Sequence, residues 1–215
     1  MIDYSARRVK MVDTQVRPSD VTKFPIIAAM LAIPRELFVP EAKQEAAYVG
    51  GNLTLSPGRV VLEARTLAKM LEALDVQPTD RVLDLGCGLG YGTAVIAELA
   101  GDVLGVDDDA ELASAAQSRL VIQGVKRARV VHGTLTQAGT GRFEVIVVEG
   151  GVEHIPETVT GQLTEGGRMA AIFMEGALGT VKVGTKEAGR MTWRFAFNAT
   201  APVLQAFAAR RGFTL

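Results

Sequence analysis

Apolar residues recur along this chain with two different periods. Leu62, Leu67, Met70, Leu71 and Leu74 fall on one face of a 3.6-residue repeat and predict a helix running toward residue 77. From Arg81 the pattern switches to short apolar runs separated by amphipathic stretches of helical length. Residues 81–85, 103–107, 127–131 and 143–148 read as strands, and 91–100 and 110–123 as helices. The run Phe143-Glu-Val-Ile-Val-Val148 is almost wholly apolar, as a strand covered on both faces must be. Further on, 155–163 reads as helical, 167–174 as extended, and 181–184 with 191–197 as a closing antiparallel pair before a tail from Thr200. Seven strands alternating with helices predict an α/β fold, a doubly wound, mostly parallel sheet with helices on both faces. Upstream, residues 1–77 read as an amphipathic helical extension in which Pro18, Pro25, Pro34 and Pro40 mark helix starts or breaks, and 49–58 as a loop by composition. The predicted organisation is therefore an N-terminal extension over 1–77, packed on a main domain over 78–215.

The chemistry sits where the first of these strands ends. Val82-Leu-Asp-Leu-Gly-Cys-Gly-Leu-Gly-Tyr-Gly92 carries an apolar strand into alternating glycines and then into a helix-forming segment. Glycines admit positive φ and a close ligand approach, and the following helix offers free N–H groups. A dinucleotide fingerprint, G-x-G-x-x-G, fails by one residue in both registers, since Tyr91 or Thr93 falls at its last place. What remains is Asp84, Gly86, Gly88 and Gly90, an acid-x-G-x-G-x-G pattern that resembles the first motif of Rossmann-like S-adenosylmethionine methyltransferases. The next strand ends at Asp107, 21 residues after Gly86 (107 − 86), close to the spacing of a ribose-binding carboxylate. Asp107 and its neighbour Asp108 are expected at the ribose hydroxyls, with Cys87 and Tyr91 lining the turn. Asp107 also suits a helix N-cap, which is compatible with binding.

Composition narrows the partners. With 215 residues, 48% of them hydrophobic, the chain can bury one sizeable core. A net charge of −1 supplies no field for nucleic acid or an anionic membrane, so neither is expected as a partner. The single cysteine, Cys87, excludes an internal disulfide and suits a reducing cytoplasm. Charges interrupt the first residues where a signal peptide needs an apolar core, and the longest apolar run, Phe24 to Pro34, is short and broken by proline. A cytoplasmic location is the expectation.

A family resemblance rests on further segments. Pro34-Arg-Glu-Leu-Phe-Val-Pro40, the loop before Leu62, the turn at Gly86, Val131-His-Gly133, Phe143 to Val148, Ile155-Pro and Gln162-Leu-Thr-Glu-Gly-Gly167 together resemble protein-L-isoaspartate (D-aspartate) O-methyltransferase over nearly the whole chain. The resemblance implies methyl esterification of isoaspartyl carboxylates in damaged proteins, with S-adenosyl-L-methionine as cofactor and Gly133 and Thr134 beside the adenine. Two departures stand out. The family's Thr-Ile-Ser stretch, whose hydroxyl lies against the substrate carboxylate, aligns with Val60-Val-Leu62, so Leu62 holds the position without a hydroxyl. The family's acid after His-Gly is Thr134 here, which can still accept one hydrogen bond.

These departures keep other acceptors open. Ser56 and Thr54 would supply a hydroxyl if their loop folded inward. Glu149 ends a strand at the ligand crevice with Gly86 and Asp107 and is expected to contact the cofactor; it and His154, beside Glu153, would also serve as a base toward a small-molecule hydroxyl or amine, or equally Glu149 would bind a loop N–H and the other two would cap a helix. Glu63 is either a helix-face charge or a substrate contact. Arg7, Arg8, Lys10, Gln15 and Arg17 would cover the cofactor site or form a solvated face. The readings are then an isoaspartyl methyltransferase, a methyltransferase for another acceptor, and a non-catalytic cofactor-binding module, with hydride transfer resting on fold analogy alone. The sequence shows no metal-ligand cluster and leaves the oligomeric state undetermined.

Overall fold

A computed structural model describes residues 2–138 and 141–209. Its seven-stranded sheet contains β3 (Arg81–Leu85), β4 (Asp102–Asp107), β5 (Ala128–His132), β6 (Phe143–Val152), β7 (Leu163–Glu175), β8 (Leu178–Glu187) and β9 (Arg190–Asn198) in the order β5-β4-β3-β6-β7-β8-β9. The first five of these run parallel, and β8 and β9 close the sheet as antiparallel neighbours. All seven expected strands are present and the closing pair is antiparallel, so the doubly wound α/β prediction holds. The order reverses between β4 and β6 across β3, which puts the switch point at the carboxyl end of β3, directly over the glycine turn.

Helices α4 (Tyr91–Ala97) and α5 (Ala110–Ile122) cross the sheet where the periodicity places them, although α4 stops three residues short of Ala100. Asp109 caps α5 by accepting from Glu111 and Leu112 N–H. The expected helix over 155–163 shrinks to α6 (Glu157–Thr160). Val159 is buried there, but Gly161 turns the chain and Leu163 already belongs to β7, whose pairing with Phe143 outweighs one more helical turn.

The N-terminal part contains α1 (Tyr4–Met11), α2 (Phe24–Ala32), α3 (Ala64–Leu74) and short tight turns at Arg17–Ser19, Arg35–Phe38 and Glu41–Ala46. The prolines mark boundaries as expected: Pro25 sits in the first turn of α2 and Pro40 precedes the turn at Glu41. One expectation fails. The 49–58 segment is not simply a loop, because β1 (Leu53–Ser56) and β2 (Arg59–Val61) form an antiparallel hairpin about Pro57 and Gly58. Gly58, at φ 75°, takes the left-handed position such a turn demands. Leu67, Met70, Leu71 and Leu74 of α3 are all fully buried and share one apolar cluster with Val16, Met30 and Phe38 from upstream and Val82 and Val145 from the sheet. No helix among the described residues is long and apolar enough to cross a membrane.

Candidate active site

The turn after β3 is held open by backbone conformation. Gly86, Gly88 and Gly90 all have positive φ, at 75°, 56° and 86°, a region in which side-chain-bearing residues are strained. Gly86 N–H donates to Val106 O on the neighbouring strand at 2.8 Å, and Gly90 N–H to Cys87 O at 2.9 Å. Asp107, at the end of β4, faces this turn. Its Oδ2 accepts from Gly88 N–H at 2.8 Å and its Oδ1 from Asp109 N–H at 3.0 Å. Burial raises the Asp107 carboxyl above its ordinary value; the two backbone donors and the charge of Arg59 oppose that rise. Gly133 N–H donates to Asp107 O at 3.0 Å, so Gly133 and Thr134 adjoin the same strand end. Cys87 is buried against Gly105, and burial pushes its thiol up, away from the range of a reactive thiolate.

Beneath the turn lies a polar cluster of a kind that is rare in a core. Asp84 and Glu149 are both buried, and Thr93 Oγ1 donates to Asp84 Oδ2 at 2.6 Å. Glu149 reaches under the first turn of α4, and only a glycine at 92 leaves room, since a Cβ there would collide with the carboxylate. Asp84 Oδ1, Glu149 Oε1, Tyr91 OH and Arg35 Nη1 are buried without partners. Desolvation first, then the neighbouring Asp84, drives the Glu149 carboxyl well above the usual range, while burial lifts Asp84 to about 6. Both shifts run toward the protonated forms. Glu149 is 3% exposed and packed beneath the first turn of α4 rather than in the open cleft, which argues against the expectation of a base or a cofactor contact there.

Arg35, to which the sequence gives no role beyond its place in the Pro-Arg-Glu segment, is 1% exposed. Its guanidinium lies 4.7 Å from the Tyr91 ring centroid and donates to Ala47 O at 2.7 Å and Leu62 O at 2.8 Å. Leu62 itself is fully buried in the apolar cluster, so the residue at the family's hydroxyl position offers neither polarity nor access. Ser56 lies at the end of β1, part-exposed and paired across the hairpin with Arg59. Glu63 Oε2 accepts from Thr66 Oγ1 at 3.3 Å in the first turn of α3, and Glu63 also lines a cavity of about 560 Å³ with Asn52, Leu178 and Thr200.

Two groups of candidates are not brought to the turn. His154 is exposed and lines a cavity of about 600 Å³ with Thr136, Thr158 and Gln205, none of which belongs to the glycine turn, so a role as base at the Asp107 end is not supported. Arg7, Arg8 and Gln15 pack on the 31–48 region: Arg7 reaches Glu45 O, Arg8 reaches Tyr48 OH and Glu36, and Gln15 reaches Tyr48 O. Arg17 pairs with Asp13. In place of a basic cover, the hairpin crosses the site. Leu55 Cδ1 stands 2.6 Å from where a Gly88 Cβ would lie, and Arg59 binds Asp107 at 3.4 Å and Asp108 more closely. Leu204, from the tail, packs into the space left by Gly86 and Gly150. Some of the glycine requirement is thus intramolecular.

A doubly wound sheet with an acid-x-Gly-x-Gly-x-Gly turn at its switch point and a carboxylate ending the adjacent strand defines the class of Rossmann-like methyltransferases. The family profile described as protein-L-isoaspartate(D-aspartate) O-methyltransferase matches residues 7–194, and the chain belongs to that family. A protein-L-isoaspartate O-methyltransferase of Koribacter versatilis is 34% identical over 190 residues, covering 87% of this chain and 86% of that one. One from Methylorubrum extorquens is 34% identical over 168 residues, 78% of this chain and 74% of its own. The fold is shared with a candidate protein-L-isoaspartate O-methyltransferase of Plasmodium falciparum solved in complex with S-adenosyl-L-homocysteine, with TM-score 0.79, 17% identity, 96% of this chain and 100% of that chain covered.

Proposed function

We propose that this chain transfers the methyl group of S-adenosyl-L-methionine to the carboxylate of an isoaspartyl residue in a protein or peptide. The observation that carries this reading is the buried Asp107 carboxylate at the end of β4, tied to Gly88 N–H across a turn of three positive-φ glycines, in a chain of this family. The residues fit an adenosyl ligand: the main chain of Gly86, Gly88 and Gly90 for close approach, Asp107 and Asp108 for the ribose hydroxyls, and Gly133 and Thr134 for the adenine edge. When bound, the cofactor supplies a sulfonium methyl for in-line displacement. The protein's share is positioning, because a carboxylate of ordinary pKa, about 4, is already ionised at neutral pH and needs no base. Arg35 fixes the Leu62 main chain through its 2.8 Å hydrogen bond, and the buried Asp84–Glu149 pair and Tyr91 support the turn and the start of α4 from below.

A second reading, methylation of a different acceptor, is favoured by the buried aliphatic side chain of Leu62 in the family's hydroxyl position. Incubation with an isoaspartyl peptide and methyl-labelled cofactor tests the first. Formation of a base-labile methyl ester supports it, and a rate no greater than that of a Gly86→Asp variant refutes it. Turnover with small hydroxyl or amine acceptors alone would select the second.

A further inference from the structure

The β1–β2 hairpin contributes two side chains to the cofactor surface. Arg59 is 9% exposed, and its guanidinium straddles Asp107 and Asp108, the carboxylates expected to receive the ribose. Both oxygens of Asp107 already accept backbone N–H groups, and the guanidinium adds a second, longer bond to Oδ1 at 3.4 Å, which leaves one acceptor site on Oδ2. Leu55, one strand earlier, lies against the open side of Gly88, where a Cβ would meet its methyl at 2.6 Å. The hairpin's base is pinned separately: Asn52 donates to Thr200 O at 2.7 Å and accepts from Glu63 N–H at 2.8 Å, and Lys43 reaches Thr54 O at 2.6 Å. Its tip, Pro57 and Gly58, is exposed. The hairpin is thus anchored where it leaves the body, Val60 and Val61 are buried in the core, and Leu55 and Arg59 hold the part nearest the tip over the turn.

We propose that Arg59 determines cofactor affinity by competing with it: Arg59 and Leu55 occupy the carboxylates and glycine surface that an adenosyl ligand needs, and binding displaces the hairpin tip. This rests on the cofactor reading above. The apparent affinity of a site that is open for only a fraction of the time falls by that fraction; a hairpin closed about nine-tenths of the time weakens binding about tenfold.

Calorimetric titration of S-adenosyl-L-homocysteine into wild type, Arg59→Ala and Leu55→Ala tests this. Expected is tighter binding by both variants, about tenfold for Arg59→Ala. A second readout needs no substitution: trypsin cleavage after Arg59 of the wild type, located by mass spectrometry, should accelerate on adding the ligand. Wild-type binding with unchanged or weaker affinity in both variants, or with slower cleavage at Arg59, overturns the competition while leaving the cofactor reading intact. No binding by any of the three proteins overturns both.

Discussion

Glu149→Gln gives the most direct test of the buried pair. In the wild type the folded-state carboxyl is held well above its ordinary 4.5, chiefly by burial and then by Asp84, so the native chain keeps a proton that the unfolded chain releases above that pH. Stability therefore falls as pH rises, by about 1.4 kcal/mol per unit for one retained proton. Glutamine is nearly isosteric, cannot ionise, and presents an N–H toward Asp84 in place of the retained proton. Asp84's own contribution, lost as pH rises from its ordinary 3.8 to about 6, changes with the substitution because Glu149 helps to set it, so the two proteins are compared above that range. The variant should thus gain on the wild type as pH rises from about 6 to 7.5, by at most about 1.4 kcal/mol per unit, read from urea unfolding at each pH. A difference that does not vary with pH refutes the raised Glu149 carboxyl. So does a loss of about 3–5 kcal/mol at both ends, which would mean an ionised Glu149 paired with Arg35.

Gly92→Ala drives a methyl into the Glu149 carboxylate and should lose about 1–3 kcal/mol in urea unfolding; much of that loss should vanish when Glu149 is also replaced by alanine, a coupling that a double-mutant cycle measures. Arg35→Lys cannot hold Ala47 O and Leu62 O at once and should cost about 1.5–3 kcal/mol, with lower turnover because the segment at Leu62 loosens; unchanged stability argues against the strut. Leu62→Ser restores the family's residue type but empties a fully buried site, so thermal unfolding should show a loss of about 2–5 kcal/mol, and a stable variant with raised isoaspartyl activity would contradict that placement.

The sheet was legible because parallel strands buried on both faces read as continuous apolar runs, and the spacing from Gly86 to Asp107 is a local property of one βα unit. The hairpin was not read as such, although Leu53-Thr-Leu-Ser-Pro-Gly carries both alternation and a turn, because its partner is only the three residues Arg59–Val61 and the composition favours a loop. The helix assigned to 155–163 was over-extended because periodicity ignores strand pairing, which captures Leu163. Nothing local assigns Arg35 a role, and Glu149 reads in sequence as a base, a cofactor contact or a binder of a loop N–H rather than as a buried support. What fixes those roles is contact across the chain: Arg35 bonds a carbonyl 27 positions away, and Glu149 fills the space left by Gly92, which no local pattern announces.

The same contacts explain how an N-terminal extension bears on a site built from the sheet. Arg35 belongs to the tight turn Arg35–Phe38, yet it stacks on Tyr91 at the start of α4 and holds the carbonyl of Leu62 at the end of the hairpin. Phe38 adds a ring contact with Tyr91 at 6.2 Å between centroids, and Arg119 of α5 reaches back to Leu37 O at 2.9 Å. Buried hydrogen bonds to a charged donor are among the stronger ones, and an orphaned carbonyl in this position would be costly. The Pro-Arg-Glu-Leu-Phe segment therefore couples three elements that meet at the turn: the hairpin above it, the helix leaving it and the helix after β4. A hairpin tip that moves while its Leu62 end stays clamped by Arg35 bends between these points, which confines the motion to the residues carrying Leu55 and Arg59.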